Sequence, residues 1–293
     1  MLKAGGRRWK QKGKSVMMRL GFGTKITHHQ LPFTGKDDSM LVIEKLTKRY
    51  DGVQALDQVS LKIQKGTIKG LIGPNGAGKS TLFHLISGIE RPDSGRICFK
   101  GREVTSLEPH AISALGMGRT FQTLQAWGNM TVVDNILAGM HRRLKGGFLS
   151  CGLWLPRIKT QEREALKEAK EILEFMGLLG RWEWPVSQLS FGEQKMIEMG
   201  RALAMKPDLL LLDEPASGLN PVEVEQLSRR IRQLKQGGMT FLVVEHHMEL
   251  VMEIADEIAV FHNGKLLVEG TPDEIRRDER VREAYLRTRR ADA

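Results

Sequence analysis

Gly73, Pro74, Asn75, Gly76, Ala77, Gly78, Lys79 and Ser80 follow one another in the spacing G-x-x-x-x-G-K-[ST], a cradle for phosphate. Glycines let consecutive backbone N–H groups converge on one anion, and a helix starting here adds its positive dipole end. Lys79 can reach the outer phosphates of a nucleotide, and the Ser80 hydroxyl is placed to ligate magnesium. Further along, Leu209-Leu-Leu-Leu-Asp213-Glu214-Pro215 sets two carboxylates just past the carboxyl end of an apolar strand. Open α/β sheets put their ligand sites there. Asp213 is the natural magnesium partner, directly or through water, and Glu214 is the candidate base for water attacking the terminal phosphate. The chemistry these groups suit is nucleotide binding and phosphoanhydride hydrolysis.

The flanking elements have the order such a loop needs. Ile68 to Ile72 reads as a short buried strand, and Leu82, Phe83, Leu85 and Ile86 have helical spacing that stops at Gly88. A Rossmann dinucleotide loop is disfavoured, because no Lys-Ser pair belongs there. From Met40 to Ile63, Leu41, Ile43, Val59, Leu61 and Ile63 alternate with polar neighbours around a turn at Tyr50-Asp-Gly52, which predicts an antiparallel layer. Leu209 to Leu212 and Phe241 to Val244 are continuous apolar runs, as expected of parallel strands buried on both faces. Ile258 to Phe261 and Lys265 to Val268 flank Asn263-Gly264, a hairpin signal at a sheet edge.

Thr131 to Leu179 reads as mostly helical, with Ala165, Leu166, Ala169, Ile172, Leu173 and Met176 on one face. We expect an inserted helical subdomain at about 126–188 within a catalytic domain spanning 40–275, preceded by a basic extension (1–39) and followed by a basic tail (276–293). Between Gly146 and Pro156, the apolar residues Phe148, Leu149, Leu153, Trp154 and Leu155 fit either a loop packed on its own subdomain or a patch facing a partner or membrane.

The bulk composition is that of an ordinary globular chain: 293 residues, 41% hydrophobic, net charge +10. The basic balance is local. Residues 1–39 hold nine Lys/Arg against two Asp, a net +7, leaving +3 for the other 254 residues. A solvated tail accounts for this, with anionic lipid or RNA contact as the other reading, and no nucleic-acid partner is expected. Cys98 and Cys151 form no C-x-x-C pair, so neither a metal site nor a disulfide framework is indicated, which fits a reducing compartment. No secretory signal and no apolar run of bilayer-spanning length is found.

Leu189-Ser-Phe-Gly-Glu-Gln194 adds a specific signal. With the preceding motifs it resembles the signature sequence L-S-G-G-Q of the ATP-binding-cassette (ABC) ATPases, with Phe191 and Glu193 departing from the commonest form and Ser190 and Gly192 retained. Other family elements stand in the family's order across residues 41 to about 275. The resemblance implies a P-loop NTPase fold of α/β class, with a RecA-like parallel core, an antiparallel β layer and an inserted helical subdomain. It implies ATP and Mg2+ as the bound species. Tyr50 resembles the aromatic that stacks on adenine, Gln122 the glutamine that senses magnesium and the attacking water, and His246 the histidine that contacts the γ-phosphate, with His247 an alternative to it. Thr81 joins the phosphate loop, and Ser190 and Gly192 face the γ-phosphate bound by another subunit. Asn220 stands where the family has an acid, and His247 where it usually has Asp.

Within the family, Gly118-Arg-Thr-Phe-Gln-Thr, Asn129 to Ile136, Glu214 to Pro221, Glu245 to Val251 and Glu283-Ala-Tyr-Leu286 together resemble the LivG-type subunits that energise uptake of branched-chain amino acids. That resemblance implies two permease subunits in separate chains, a second ATPase of LivF type or a second copy of this chain, and a periplasmic substrate-binding protein. It also implies residence at the cytoplasmic face of the inner membrane. Urea or amide uptake, lipid export and a non-transport ABC role are the alternatives.

Overall fold

A computed structural model describes residues 39–120, 127–143 and 156–291 of the chain. The strands are β1 (Ser39–Tyr50), β2 (Val53–Gln64), β3 (Ile68–Ile72), β4 (Ser94–Phe99), β5 (Arg102–Glu103), β6 (Met117–Arg119), β7 (Leu209–Asp213), β8 (Thr240–Val244), β9 (Glu257–His262) and β10 (Lys265–Gly270). Between them run the helices α1 (Lys79–Ile86), α2 (Pro109–Ala114), α3 (Val132–Gly139), α4 (Pro156–Met176), α5 (Phe191–Ala204), α6 (Pro221–Gln236), α7 (Met248–Ile254), α8 (Pro272–Arg277) and α9 (Glu279–Ala291). The expected basic C-terminal segment is thus helical over most of its length. Chain compactness separates two units, one holding the described residues up to Arg119 with 208–217 and 238–291, the other holding the rest.

The first unit contains both sheets. Strands β6, β7, β8, β3 and β9 run parallel and β10 closes the edge antiparallel to β9. Every residue of β3, β7 and β8 is buried, as the continuous apolar runs Leu209 to Leu212 and Phe241 to Val244 require of strands covered on both faces. The β9–β10 hairpin turns at Asn263 (φ 48°) and Gly264 (φ 74°), both in the left-handed region that the Asn-Gly pair tolerates. A second, antiparallel sheet has the order β2-β1-β4-β5, and its inward residues Leu41, Ile43, Leu61 and Ile63 join Phe83, Leu211 and Leu242 in one core. Lys69 is a charged exception within β3, 1% exposed, with its ammonium on Glu257 (2.9 Å), Glu269 and the Lys62 carbonyl (2.6 Å).

The second unit is helical. The predicted apolar face of α4 is buried at Ala165, Ala169, Ile172, Leu173 and Met176, with Leu166 half-buried beside it. Helix α3 starts on a Thr131 cap, and the fully buried Asn135 side chain accepts from the Trp127 N–H (3.0 Å) and donates to the Trp127 carbonyl (3.2 Å). The apolar stretch expected at 146–155 lies outside the described residues, as does most of the basic extension at 1–38. Among the described residues no helix is long and apolar enough to cross a membrane.

Candidate nucleotide site

The phosphate loop joins β3 to α1. Gly76 (φ 74°) and Gly78 (φ 99°) take backbone angles that L side chains rarely adopt, and Gly73 packs so closely on β9 that an added Cβ would stand 2.2 Å from the Phe261 carbonyl oxygen. Pro74 and Ala77 are buried, whereas Asn75, Gly76 and Ser80 are exposed at the loop's mouth and Thr81 is half-buried on α1. Lys79 is 5% exposed, and its ammonium donates to the Gly73 (2.6 Å) and Pro74 (2.8 Å) carbonyls. Burial pulls its pKa below the ordinary lysine value, while the charge of Glu214 acts in the opposite direction.

Three acids lie beside this loop, each with a different partner. Asp213, the last residue of β7, is 5% exposed and accepts from the Arg119 guanidinium at 3.0 Å. The same guanidinium donates to Ser87 Oγ (2.7 Å) just past the end of α1 and lies over the Phe83 ring, 5.6 Å from its centre. Burial lowers the Arg119 pKa and Asp213 partly restores it. Glu214 sits at φ 46°, with its N–H on the Val244 carbonyl (2.9 Å) and its carboxylate 2.7 Å from Nε2 of His246. Glu245 is 2% exposed and accepts from three backbone N–H groups, those of Ala216 (2.6 Å), His246 (3.0 Å) and His247 (3.1 Å). The loops after β7 and β8 are therefore tied together by one carboxylate. Of the two adjacent histidines, His246 meets Glu214, and His247 caps the start of α7 without a side-chain hydrogen bond to it.

Tyr50 is 38% exposed at the end of β1, its hydroxyl bonded to Glu90 and the Lys48 ammonium 5.3 Å from its ring centre. Burial and the Glu90 carboxylate push its pKa up to about 12, and the hydroxyl of Thr81 opposes them. Ser190 and Gly192 belong to the helical unit. Ser190 caps α5, accepting from the Glu193 N–H (3.3 Å) while the Glu193 carboxylate accepts from the Ser190 N–H (3.0 Å), a reciprocal capping box. Arg181 holds both Glu193 oxygens, at 2.8 and 2.7 Å. Gly192 is buried where a Cβ would lie 2.2 Å from Oε1 of Glu223. Gln122 lies outside the described residues.

The donors present suit magnesium. Ser80 and Asp213 offer hydroxyl and carboxylate oxygens, and this ion typically takes one or two carboxylates together with substrate phosphates. No group of three or more His, Cys, Asp or Glu stands together among the described residues, so nothing there points to a dedicated all-protein metal cage. Arg119 and Glu245 were not singled out from sequence for the site. Arg119 stood in view within Gly118-Arg-Thr-Phe-Gln, and a charged residue closing a three-residue strand was its only signal.

A parallel sheet with a phosphate loop after β3, a histidine just past the adjacent strand β8 and two acids at the end of β7 beyond it defines a nucleoside-triphosphate-hydrolysing cassette. The ABC transporter family pattern matches residues 56–217, and a pattern described as branched-chain amino acid ATP-binding cassette transporter matches 265–286. The chain is 40% identical over 248 residues to the high-affinity branched-chain amino acid transport ATP-binding protein LivG of Salmonella typhimurium, covering 84% of this chain and 97% of the relative. It is 38% identical over 248 residues to BraF, the corresponding protein of Pseudomonas aeruginosa, covering 84% and 97%. Among solved structures, an ATP-binding cassette of an ABC transporter in its ADP conformation superposes with a TM-score of 0.75 at 34% identity, covering 85% of this chain and 98% of that one. The chain belongs to the LivG-type ATP-binding subunits of the ABC transporter family. It is accordingly an ATP-binding, ATP-hydrolysing subunit of a transporter.

Replacing Arg119 by Met leaves Asp213 buried without its guanidinium and is expected to cost on the order of 3 kcal/mol of stability, read by urea denaturation. An unchanged midpoint would show that the pair contributes nothing. Lys79→Ala is expected to weaken ATP binding by about 1.5 to 3 kcal/mol, the loss of a charge-assisted contact, read by calorimetric titration.

Proposed function

We propose that this chain powers uptake of branched-chain or related amino acids, working at the cytoplasmic face of the inner membrane beneath two permease subunits. A second ATPase, of LivF type or another copy of this chain, completes the nucleotide sites, and a periplasmic binding protein delivers the cargo. What supports the cargo reading is the likeness to relatives named for branched-chain amino acid transport, together with the match of 265–286.

In this reading the exposed Tyr50 ring takes the adenine, and the N–H groups of Gly76 to Thr81 take the β-phosphate. Lys79 exchanges the Gly73 and Pro74 carbonyls for the outer phosphate oxygens. Ser80, Asp213 and Gln122 hold Mg2+, which neutralises phosphate charge when bound. Glu214 takes a proton from the attacking water, and His246, 2.7 Å away, fixes the rotamer of that carboxylate and reaches the γ-phosphate. Ser190 and Gly192, at the capped start of α5, serve the nucleotide held by the other ATPase. Closure on ATP and separation after hydrolysis are the motor strokes.

The observation that carries the catalytic reading is the Glu214–His246 contact on the end of the central sheet. Glu214→Gln keeps the shape and removes the base, so ATP binding is expected to persist while phosphate release slows by about a hundredfold or more. Wild-type turnover in that variant excludes the assigned role. Purification of the tagged chain from solubilised native membranes, followed by mass spectrometry, is expected to bring down two multi-span permeases and a second cassette ATPase. Ribosomal proteins, or no membrane partner, would overturn the transport reading.

A further inference from the structure

Helix α9 is not separate from the catalytic unit. Val281 and Tyr285 on one face of it enter a cluster with Ile72, Val251, Ile258 and Ile275, apart from the main core. Ile72 is the residue immediately before the phosphate loop, and Val251 lies on α7, the helix that follows His246 and is capped by His247. The Tyr285 hydroxyl donates to the sulfur of Met248, 3.8 Å away, at the first residue of α7. Burial pushes the Tyr285 pKa up to about 12, with the backbone N–H of Gly73 acting in the opposite direction. One side chain from the C-terminal helix thus bonds to the first residue of the helix behind His246 and packs against the cluster that holds Ile72, the residue before the loop that cradles phosphate.

We propose that Tyr285 is a positioning residue, through which α9 sets where His246 stands against Glu214. The inference rests on the roles assigned to Glu214 and His246 above. Its physical basis is leverage: α7 is short, ending at Ile254, and its first residue lies two positions after His246. The peptide carrying His246 is held from one side by the Glu245 carboxylate, through the N–H groups of His246 and His247. On the other side it is held by the packing of α7 under Tyr285. A hydroxyl that bonds to Met248 fixes the second of these supports. Any displacement of α9 then reaches the catalytic pair without passing through the nucleotide.

The test uses the full chain with Tyr285→Phe, which keeps the ring and removes the hydroxyl. Expected are a kcat for ATP lowered about threefold to tenfold, the weight of one neutral hydrogen bond, and an ATP Kd in EDTA within about twofold of wild type. The imidazole resonances of His246 in a histidine-labelled sample should shift, with little change in Tm. Met248→Leu removes the sulfur acceptor while keeping the packing, and should shift the same resonances; it decides the matter if Tyr285→Phe does not fold. Wild-type kcat and unmoved His246 resonances overturn the proposal, as does a loss of activity that follows Tm alone. His246→Ala is the control. If it hydrolyses ATP at the wild-type rate, the assigned site roles fail; if it is inactive while Tyr285→Phe is silent, only the role of Tyr285 fails.

Discussion

Holding carboxylates at the mouth of an apolar sheet is the constraint on which the rest of this structure depends. Strands β3, β7 and β8 are buried throughout, so acids placed at their ends lose water that only specific partners can replace. Each of the three acids meets that demand differently. Asp213 takes a guanidinium, Glu214 an imidazole and Glu245 three backbone N–H groups. These choices divide the labour. Glu245 joins two loops through backbone N–H groups, whereas Glu214, whose side chain is 16% exposed, stands beside a half-exposed imidazole. Arg119 connects Asp213, at the end of β7, to the far end of the loop helix through Ser87.

The departures from the commonest family pattern have local physical reasons. Glu193, where the signature sequence is usually otherwise, closes a capping box with Ser190 and is gripped by Arg181. Asn220, standing where the family has an acid, caps α6 by accepting from the N–H groups of Val222 and Glu223, both at 3.0 Å. An amide oxygen does that work as well as a carboxylate. Glu223 in turn accepts from the Asn220 N–H (2.9 Å) and fills the space that Gly192 leaves open. In the helical unit, the starts of α5 and α6 are therefore fitted to each other through one glutamate.

Sequence reading reached furthest where the determinants are local. The phosphate loop, the strand before it and the helix after it occupy consecutive residues, and each has its own periodicity and turn chemistry. The same holds for the Asn263-Gly264 hairpin and the buried face of α4. Glu245 was passed over because its neighbours His246 and His247 carried the more familiar chemistry. Arg119 and Tyr285 were overlooked because their partners lie far away along the chain, Asp213 for the first and Met248 for the second. No spacing rule connects such pairs.

The amino-acid sequence by itself determined the class of chemistry, the order of the elements and the strand, loop and helix around the phosphate loop, because backbone glycines, apolar runs and acids at strand ends act through nearest neighbours. Only the tertiary structure decided which of His246 and His247 meets Glu214, which cation balances Asp213, and that the C-terminal helix belongs to the catalytic unit. Those outcomes depend on strand order and on packing between segments distant in sequence. A parallel sheet in the order β9-β3-β8-β7-β6 brings together ends that the chain itself keeps far apart.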